Sequence, residues 1–288
     1  MLEMNLNLGL DSLVHSLCFM KDYVRLNRCL SALFIPVFAF VICSGAGYAG
    51  FFIVSAVVVL IIAGTYSYNS LRDWEEDENN PLHENPLDRK AINNWVNRTP
   101  ILLFLTAAML SILVNSTFFV LISSLVLFSY TYSRLKVKSI FIVKTLTIPF
   151  CYALLFISCY TAFSGGLTVE VMLSAMLLFL LFFSYSVISD IRDIKPDREN
   201  KHETIPVRIG YNKSMKLVLL LFLLINILNT VFLETHLLAV KSATVVYMFI
   251  PVQLYLIHEL AKKRLYDIDS ARGVNFILIT ALMVVFFL

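Results

Sequence analysis

The chain has 288 residues, 59% hydrophobic and 15% charged, with mean hydropathy +0.79 and net charge +3. Soluble domains run at about 45–50% apolar and about 25% charged. The composition therefore excludes a soluble globular protein and a nucleic-acid partner, and points to an all-α, polytopic chain whose main surroundings are the lipid bilayer.

The chain opens on a helical stripe of Leu6, Leu10, Leu13, Val14 and Leu17. Residues 2–24 read as an amphipathic helix on the membrane surface, within an N-terminal segment 1–27. It does not read as a signal peptide, because Lys21 and Arg25 follow the apolar residues instead of preceding them. A disordered tail is the other reading. A bilayer span needs about 20 apolar residues. On that criterion nine spans follow, at roughly 28–46, 50–68, 99–115, 117–134, 140–162, 168–188, 214–233, 239–261 and 272–288. They form one membrane domain over 28–288. Short turns such as Ser44-Gly45-Ala46-Gly47 and Ser164-Gly165-Gly166 join several pairs as tight hairpins.

The longer connections are 69–98, 135–139, 189–213 and 262–271, all on the same side as the N-terminus. Of the 23 Lys and Arg, all but Lys144 and Lys241 lie in the N-terminal region, in these connections or within three residues of their ends. The positive-inside rule then puts the N-terminus on the cytoplasmic face and the C-terminus outside. Asn115, Glu170, Glu234 and Lys241 mark the outer face. The five cysteines, Cys18, Cys29, Cys43, Cys151 and Cys159, show no CxxC spacing. They read as reduced, structural thiols. Nothing in the sequence sets an oligomeric state.

Two acidic stretches carry the chemistry. The first, Asn69-Ser70-Leu71-Arg72-Asp73-Trp74-Glu75-Glu76-Asp77, follows the second span. Asn69, Asp73 and Asp77 stand at i, i+4 and i+8, on one face of a continuing helix. The second follows the sixth span and sets Asp190, Asp193 and Asp197 at i, i+3 and i+7, again on one helical face. Carboxylates this close repel unless neutralised. Oxygen ligands at this spacing suit Mg²⁺, which is commonly held by one or two carboxylates plus substrate phosphates. Two such clusters facing each other across a cavity would hold a diphosphate through Mg²⁺, with Asn69, Asp73, Asp77, Asp190, Asp193 and Asp197 as ligands.

Basic residues lie on the same face. Tyr132 and Lys136 close the fourth span. Lys144 stands about one turn inside the fifth, where a lysine is costly and hence a functional candidate, or else snorkels to the interface. Arg28, Arg72, Arg198 and Arg208 are further candidates to offset a bound diphosphate. His83 and His202 share no ligand spacing. His258 with Glu259 reads either as a polar pair in the cavity or as an interfacial anchor. There is no Ser-His-Asp arrangement, phosphate-cradling Gly-rich loop, or haem or zinc spacing.

At these two motifs the chain resembles the UbiA superfamily of intramembrane prenyltransferases. The family pattern places NDxxDxxxD after span two and DxxDxxxD after span six. The second match is the more specific: Asp190, Asp193, Asp197, Arg198, Thr204, Ile205, Pro206 and Gly210 fall in register, with Pro196 and Lys201 where glycines are usual. In the first, Asn69, Asp73 and Asp77 are kept, while Ser70 replaces an aspartate. Asn80, Pro81 and Pro86 align, and Asn85 stands for a frequent arginine. Tyr132-x-x-x-Lys136 also looks like a family feature. The serine can still donate to a metal-bound water or a phosphate oxygen.

The resemblance implies nine helices around a central cavity open towards the membrane. It also implies Mg²⁺-dependent transfer of a prenyl group from its diphosphate to a small or lipid acceptor, often aromatic. Asp73, Asp77, Asp190 and Lys144 would be catalytic. Asn69, Arg72, Tyr132, Lys136 and Arg198 would contact substrate. A UbiA-type terpene cyclase would use the same ionisation without an acceptor. A transporter would need ionisable residues near the bilayer midplane, and here they cluster at one face.

Overall fold

The computed structural model describes residues 18–43, 47–77, 87, 92–135, 140–164, 166–200, 202–263 and 268–287, of which 75–77 and 268–272 as backbone alone. The amphipathic stripe at 6–17, Lys136, the Asp77 side chain and the positions Asn80, Pro81, His83, Asn85 and Pro86 fall outside what is described. Among the described residues every regular element is helical. Helix α1 covers 18–23. It is followed by α2 (Leu26–Ala32), α3 (Phe34–Ile42) and α4 (Tyr48–Asp77). Next come α5 (Asn94–Ile112), α6 (Ser116–Arg134), α7 (Val143–Ser164) and α8 (Val169–Arg192). Two short helices, α9 (Ile194–Glu199) and α10 (Ile205–Ile209), lead to α11 (Tyr211–Glu234). The rest is α12 (Val240–Tyr247), α13 (Ile250–Ala261) and α14 (Ile268–Phe287).

Seven helical stretches among the described residues are long and apolar enough to cross a bilayer: α4, α5, α6, α7, α8, α11 and the α12–α13 pair. The first and last of the nine predicted spans fall on shorter apolar stretches, Leu26–Ile42 and Gly273–Phe287. The first is also interrupted at Leu33, between α2 and α3. Pro36 accounts for the interruption. It lacks an N–H, and its ring clashes with the carbonyl four residues back, at Ala32. Pro251 acts in the same way on Tyr247 and divides the predicted span 239–261 into α12 and α13. The predicted connection 189–213 is mostly helical, because α8 runs to Arg192, α9 and α10 lie within it and α11 begins at Tyr211.

Side-chain caps start three of the long helices. Asn93 accepts from Trp95 and Val96, Asn115 from Phe118, and Thr168 from Val171. Each satisfies amide groups that a helix start leaves unpaired. Helix α8 is the most buried span, with 67% of its apolar window enclosed. It packs between α7 and α11, while α3 lies against α7 and α14. A run of buried rings joins them. Phe38 meets Phe156 at 5.0 Å, Phe34 meets Phe249 edge-on at 5.1 Å, and Phe276 stacks on Phe182 at 5.5 Å. Phe249 belongs to the break between α12 and α13, so the proline-induced bend delivers a ring into the core.

Helices α4 and α6 run parallel and in step. Thr65 pairs with Ser129 at 2.9 Å, Tyr68 stacks on Tyr130 at 5.0 Å, and Ser133 donates to Asn69. These contacts fix the C-terminal ends of both helices at one end of the bundle. At the other end Asn115 donates to the Thr161 carbonyl at 3.3 Å, and Glu170 accepts from the Ala239 amide and the Ser242 hydroxyl. Asn115 and Glu170 thus lie at the same end of the bundle.

Candidate active site

The C-terminus of α8 carries the second acidic motif. Asp193 caps the helix at φ −93 and ψ 13, and α9 starts afresh. Pro196 has no N–H to bond the Arg192 carbonyl four residues back and its ring crowds that carbonyl, so the predicted single face is bent at Asp193. The Asp197 amide still donates to the Asp193 carbonyl at 2.8 Å, so the chain turns tightly. Asp190, Asp193 and Asp197 are all buried.

Lys144, in the first turn of α7, answers them. Its Nζ donates to Asp197 Oδ1 at 2.7 Å and Oδ2 at 2.9 Å, and stands 3.5 Å from Asp190 Oδ1. It is therefore an ion-pair partner and not a lysine snorkelling to water. The Thr145 hydroxyl donates to Asp190 Oδ2 at 2.6 Å. Arg192 reaches Asp193 with two N–H groups, at 2.8 and 3.0 Å. His202 returns to the site: its amide donates to the Asp197 carbonyl at 2.7 Å, and its Nδ1 lies 3.5 Å from Asp197 Oδ1. Burial works to raise the Asp197 pKa, but the hydrogen bond from His202 and the Lys144 charge outweigh it and hold it below 3.8.

The first motif stands beside this cluster. Asn69 takes the Ser133 hydroxyl, and Tyr132 lies within electrostatic reach of Asp190, Asp73 and Asp197 together. Tyr132 thus lies near aspartates of both motifs. Ser70 is 1% exposed, enclosed in the packing of α4. Arg72 and Arg198, two of the expected substrate contacts, are exposed. His258 is exposed and Glu259 buried, so they do not form a polar pair in the cavity.

A cavity of about 710 Å³ opens next to the second motif, with Lys144, Asp190 and Asp193 on its wall. Tyr66, Tyr152, Phe182 and Tyr185 supply aromatic surface, and Lys21, Arg25 and Arg28 line it as well. Tyr152 stacks on Phe182 at 4.1 Å, and the Arg25 guanidinium sits 5.4 Å over the Tyr66 ring. Asn69, Asp73 and Tyr132 adjoin the cluster but do not line this cavity. Sequence reasoning missed Thr145, Lys21, Arg25 and the aromatic wall. Each sits in an ordinary apolar or surface pattern, and only the adjacency of Thr145 to Lys144 was a signal.

For a metal ion the two motifs differ. The amide and carboxylate oxygens of Asn69 and Asp73, one helical turn apart, are the hard donors Mg²⁺ takes. In the second motif all three donors are carboxylates, and each faces a donor of the chain itself, as Asn69 faces Ser133 in the first. Among the described residues no three His, Cys, Asp or Glu side chains converge on one point.

Against known proteins, the UbiA prenyltransferase family model matches residues 32–280. The chain belongs to the UbiA prenyltransferase family. A digeranylgeranylglyceryl phosphate synthase of Saccharolobus solfataricus is 26% identical over 226 residues, 73% of this chain and 76% of that one. The synthase of the same name from Sulfurisphaera tokodaii is 29% identical over 160 residues, and the match spans 57% of its length. A UbiA homologue from Archaeoglobus fulgidus, solved bound to GPP and Mg²⁺, has a TM-score of 0.73 at 16% identity, covering 93% of this chain and 99% of its own. At that identity the likeness establishes a UbiA-type fold.

Proposed function

We propose that this UbiA-family protein transfers a prenyl group from a prenyl diphosphate to an acceptor inside the membrane. The observation that carries this reading is Lys144 bound to Asp190 and Asp197 at the wall of an aromatic-sided cavity. A diphosphate at the polar end would meet the Lys144 ammonium, with Asn69, Asp73 and Tyr132 in the adjoining cluster. Asn69 and Asp73, with Asp77, would hold Mg²⁺, which when bound shields the negative charge that grows on the leaving diphosphate. The carbon–oxygen bond breaks with both electrons leaving on oxygen, and an allylic cation remains. Tyr66, Tyr152 and Phe182 present ring faces that stabilise such a cation. The apolar cavity keeps water from quenching it. A nucleophilic oxygen or carbon of the acceptor then closes the new bond and loses its proton.

The acceptor is a glycerol phosphate lipid, in place of the aromatic ring that the superfamily resemblance favours. The names of the two archaeal relatives support this, and Lys21, Arg25 and Arg28 offer cations for its phosphate. The two shorter apolar helices complete nine passages within the catalytic domain 28–288. Residues 1–27 and the site lie at the cytoplasmic face, as the Lys and Arg distribution supports.

The test incubates purified protein with Mg²⁺, labelled prenyl diphosphates of several lengths, and lipid-phosphate or aromatic acceptors. Diphosphate release that depends on a lipid-phosphate acceptor is expected. A cyclised hydrocarbon formed without acceptor, or no release under any condition, overturns the reading. Asp73→Ala and Asp190→Ala should each lower turnover by at least about 100-fold, the scale of losing one electrostatic stabiliser, while circular dichroism stays unchanged.

A further inference from the structure

The ends of α4 and α6 carry a second polar cluster, outside the cavity. Each helix repeats one pattern there, a tyrosine followed four residues later by an arginine: Tyr68 and Arg72 on α4, Tyr130 and Arg134 on α6. That spacing sets each arginine over its own tyrosine on one helix face. Because α4 and α6 run in step, the two pairs stand side by side. The Tyr68 and Tyr130 rings stack at 5.0 Å and 24°. An Arg134 N–H donates to the Tyr130 hydroxyl at 2.9 Å, and the guanidinium lies 5.7 Å from the centre of that ring. Tyr68 is within electrostatic reach of both Arg72 and Arg134.

None of the four lines the cavity. Both arginines are exposed, and neither pairs with a carboxylate among the described residues. Further into the membrane, the face of α6 that carries Arg134 is apolar and open. Leu127 and Val120, seven and fourteen residues before Arg134, are exposed on it. The surface therefore offers three levels in turn: an apolar track, two amphipathic rings of the kind that sit at headgroup depth, and two guanidinium forks that match phosphate oxygens. A soluble anion would use the last level alone. A lipid would use all three.

We propose that the paired Tyr–Arg repeats bind the phosphate headgroup of an anionic membrane lipid on the lipid-facing side of α4 and α6. This lipid is not a substrate, and the site stands independently of the prenyl-transfer reading. Its path to the candidate active site is short. Asn69 follows Tyr68, Ser133 precedes Arg134, and Asn69 and Ser133 pair across the same two helices. A headgroup held by both arginines ties α4 to α6 at the level of the first motif.

The test places the full chain in phosphatidylcholine nanodiscs doped with a phosphatidylglycerol that carries a diazirine in its acyl chain, or with the matching phosphatidylcholine probe. Crosslinked peptides are read by mass spectrometry. The α6 peptide around Leu127 should favour the phosphatidylglycerol probe by at least about 5-fold, the scale of one arginine near an anionic headgroup. Arg72→Gln combined with Arg134→Gln should abolish that preference. Lys213→Gln combined with Lys216→Gln removes the same charge from exposed positions on α11 and should keep it, as should Arg25→Gln at the cavity. Excess glycerol phosphate without acyl chains should not displace the probe. The proposal is overturned by a wild type without preference, by a preference that survives loss of both arginines, or by one that falls equally with the α11 lysines or with Arg25. Displacement by glycerol phosphate also overturns it, since that marks a site for soluble anions. If the double arginine variant does not fold, Arg134→Gln alone should lower the ratio, and an unchanged ratio overturns the proposal.

Discussion

Thr145 shows how much one buried hydroxyl contributes. It donates to Asp190 at 2.6 Å where both groups are shut off from water. Thr145→Val keeps the shape and removes the donor. It should cost about 1.5–3 kcal/mol, the range for a hydrogen bond to a charged group, read from denaturation in detergent. Asp197 sets an acid limit. Its pKa lies below the ordinary 3.8, with burial opposed by His202 and Lys144. A depressed folded-state pKa adds stability that is fully present above the unfolded value and lost as pH falls through the folded one. Melting temperature should therefore show no loss from this group between about pH 5 and 8, and should drop below about pH 4. Asp197→Asn should start less stable and lose that acid-side drop. The aspartates and Lys144 were legible because charge at the edge of an apolar run is rare. Thr145 was not, since a threonine in a membrane helix ordinarily bonds its own backbone, as Thr147 does to the Val143 carbonyl.

At the scale of elements, α4 and α5 approach closely at Gly64. A Cβ added at Gly64 would lie 2.8 Å from Phe104 Cε1, and Phe104 is buried. Gly64→Ala must displace that ring and should destabilise by about 1–3 kcal/mol, measured as a loss of thermal stability with the site residues untouched. The long apolar helices were readable from hydropathy because each exceeds the window that averages it. The breaks at Leu33 and at Met248–Phe249 were not, although Pro36 and Pro251 cause them, because a single proline hardly changes the mean of an apolar run. Pro196 had a similar effect. It aligned as a departure from a motif glycine, and its consequence, the bend that lets Asp197 and Asp190 share one lysine, is a property of the folded chain.

For the whole molecule, the charge asymmetry makes a topological prediction. Cys18 is the one exposed cysteine of the five, two others being buried and two half-buried. A membrane-impermeant maleimide should label Cys18 only after intact cells are permeabilised. Labelling from outside would invert the proposed orientation. A central cavity was expected, but the residues that wall it were not legible in the sequence, because α2, α4, α7, α8 and α14 contribute to it from distant parts of the chain. The halves of the site also differ mechanically. The first motif is rooted in α4, 30 residues without interruption, or about 45 Å of rod at 1.5 Å per residue. The hydrocarbon core is only about 30 Å thick. The second motif instead straddles the hinge at Asp193. Any tilt that α4 adopts to suit a thicker or thinner bilayer is carried undiminished to Asn69 and Asp73, while Asp197 stays with Lys144. Turnover in vesicles of differing acyl-chain length is therefore expected to vary through the spacing of the two half-sites.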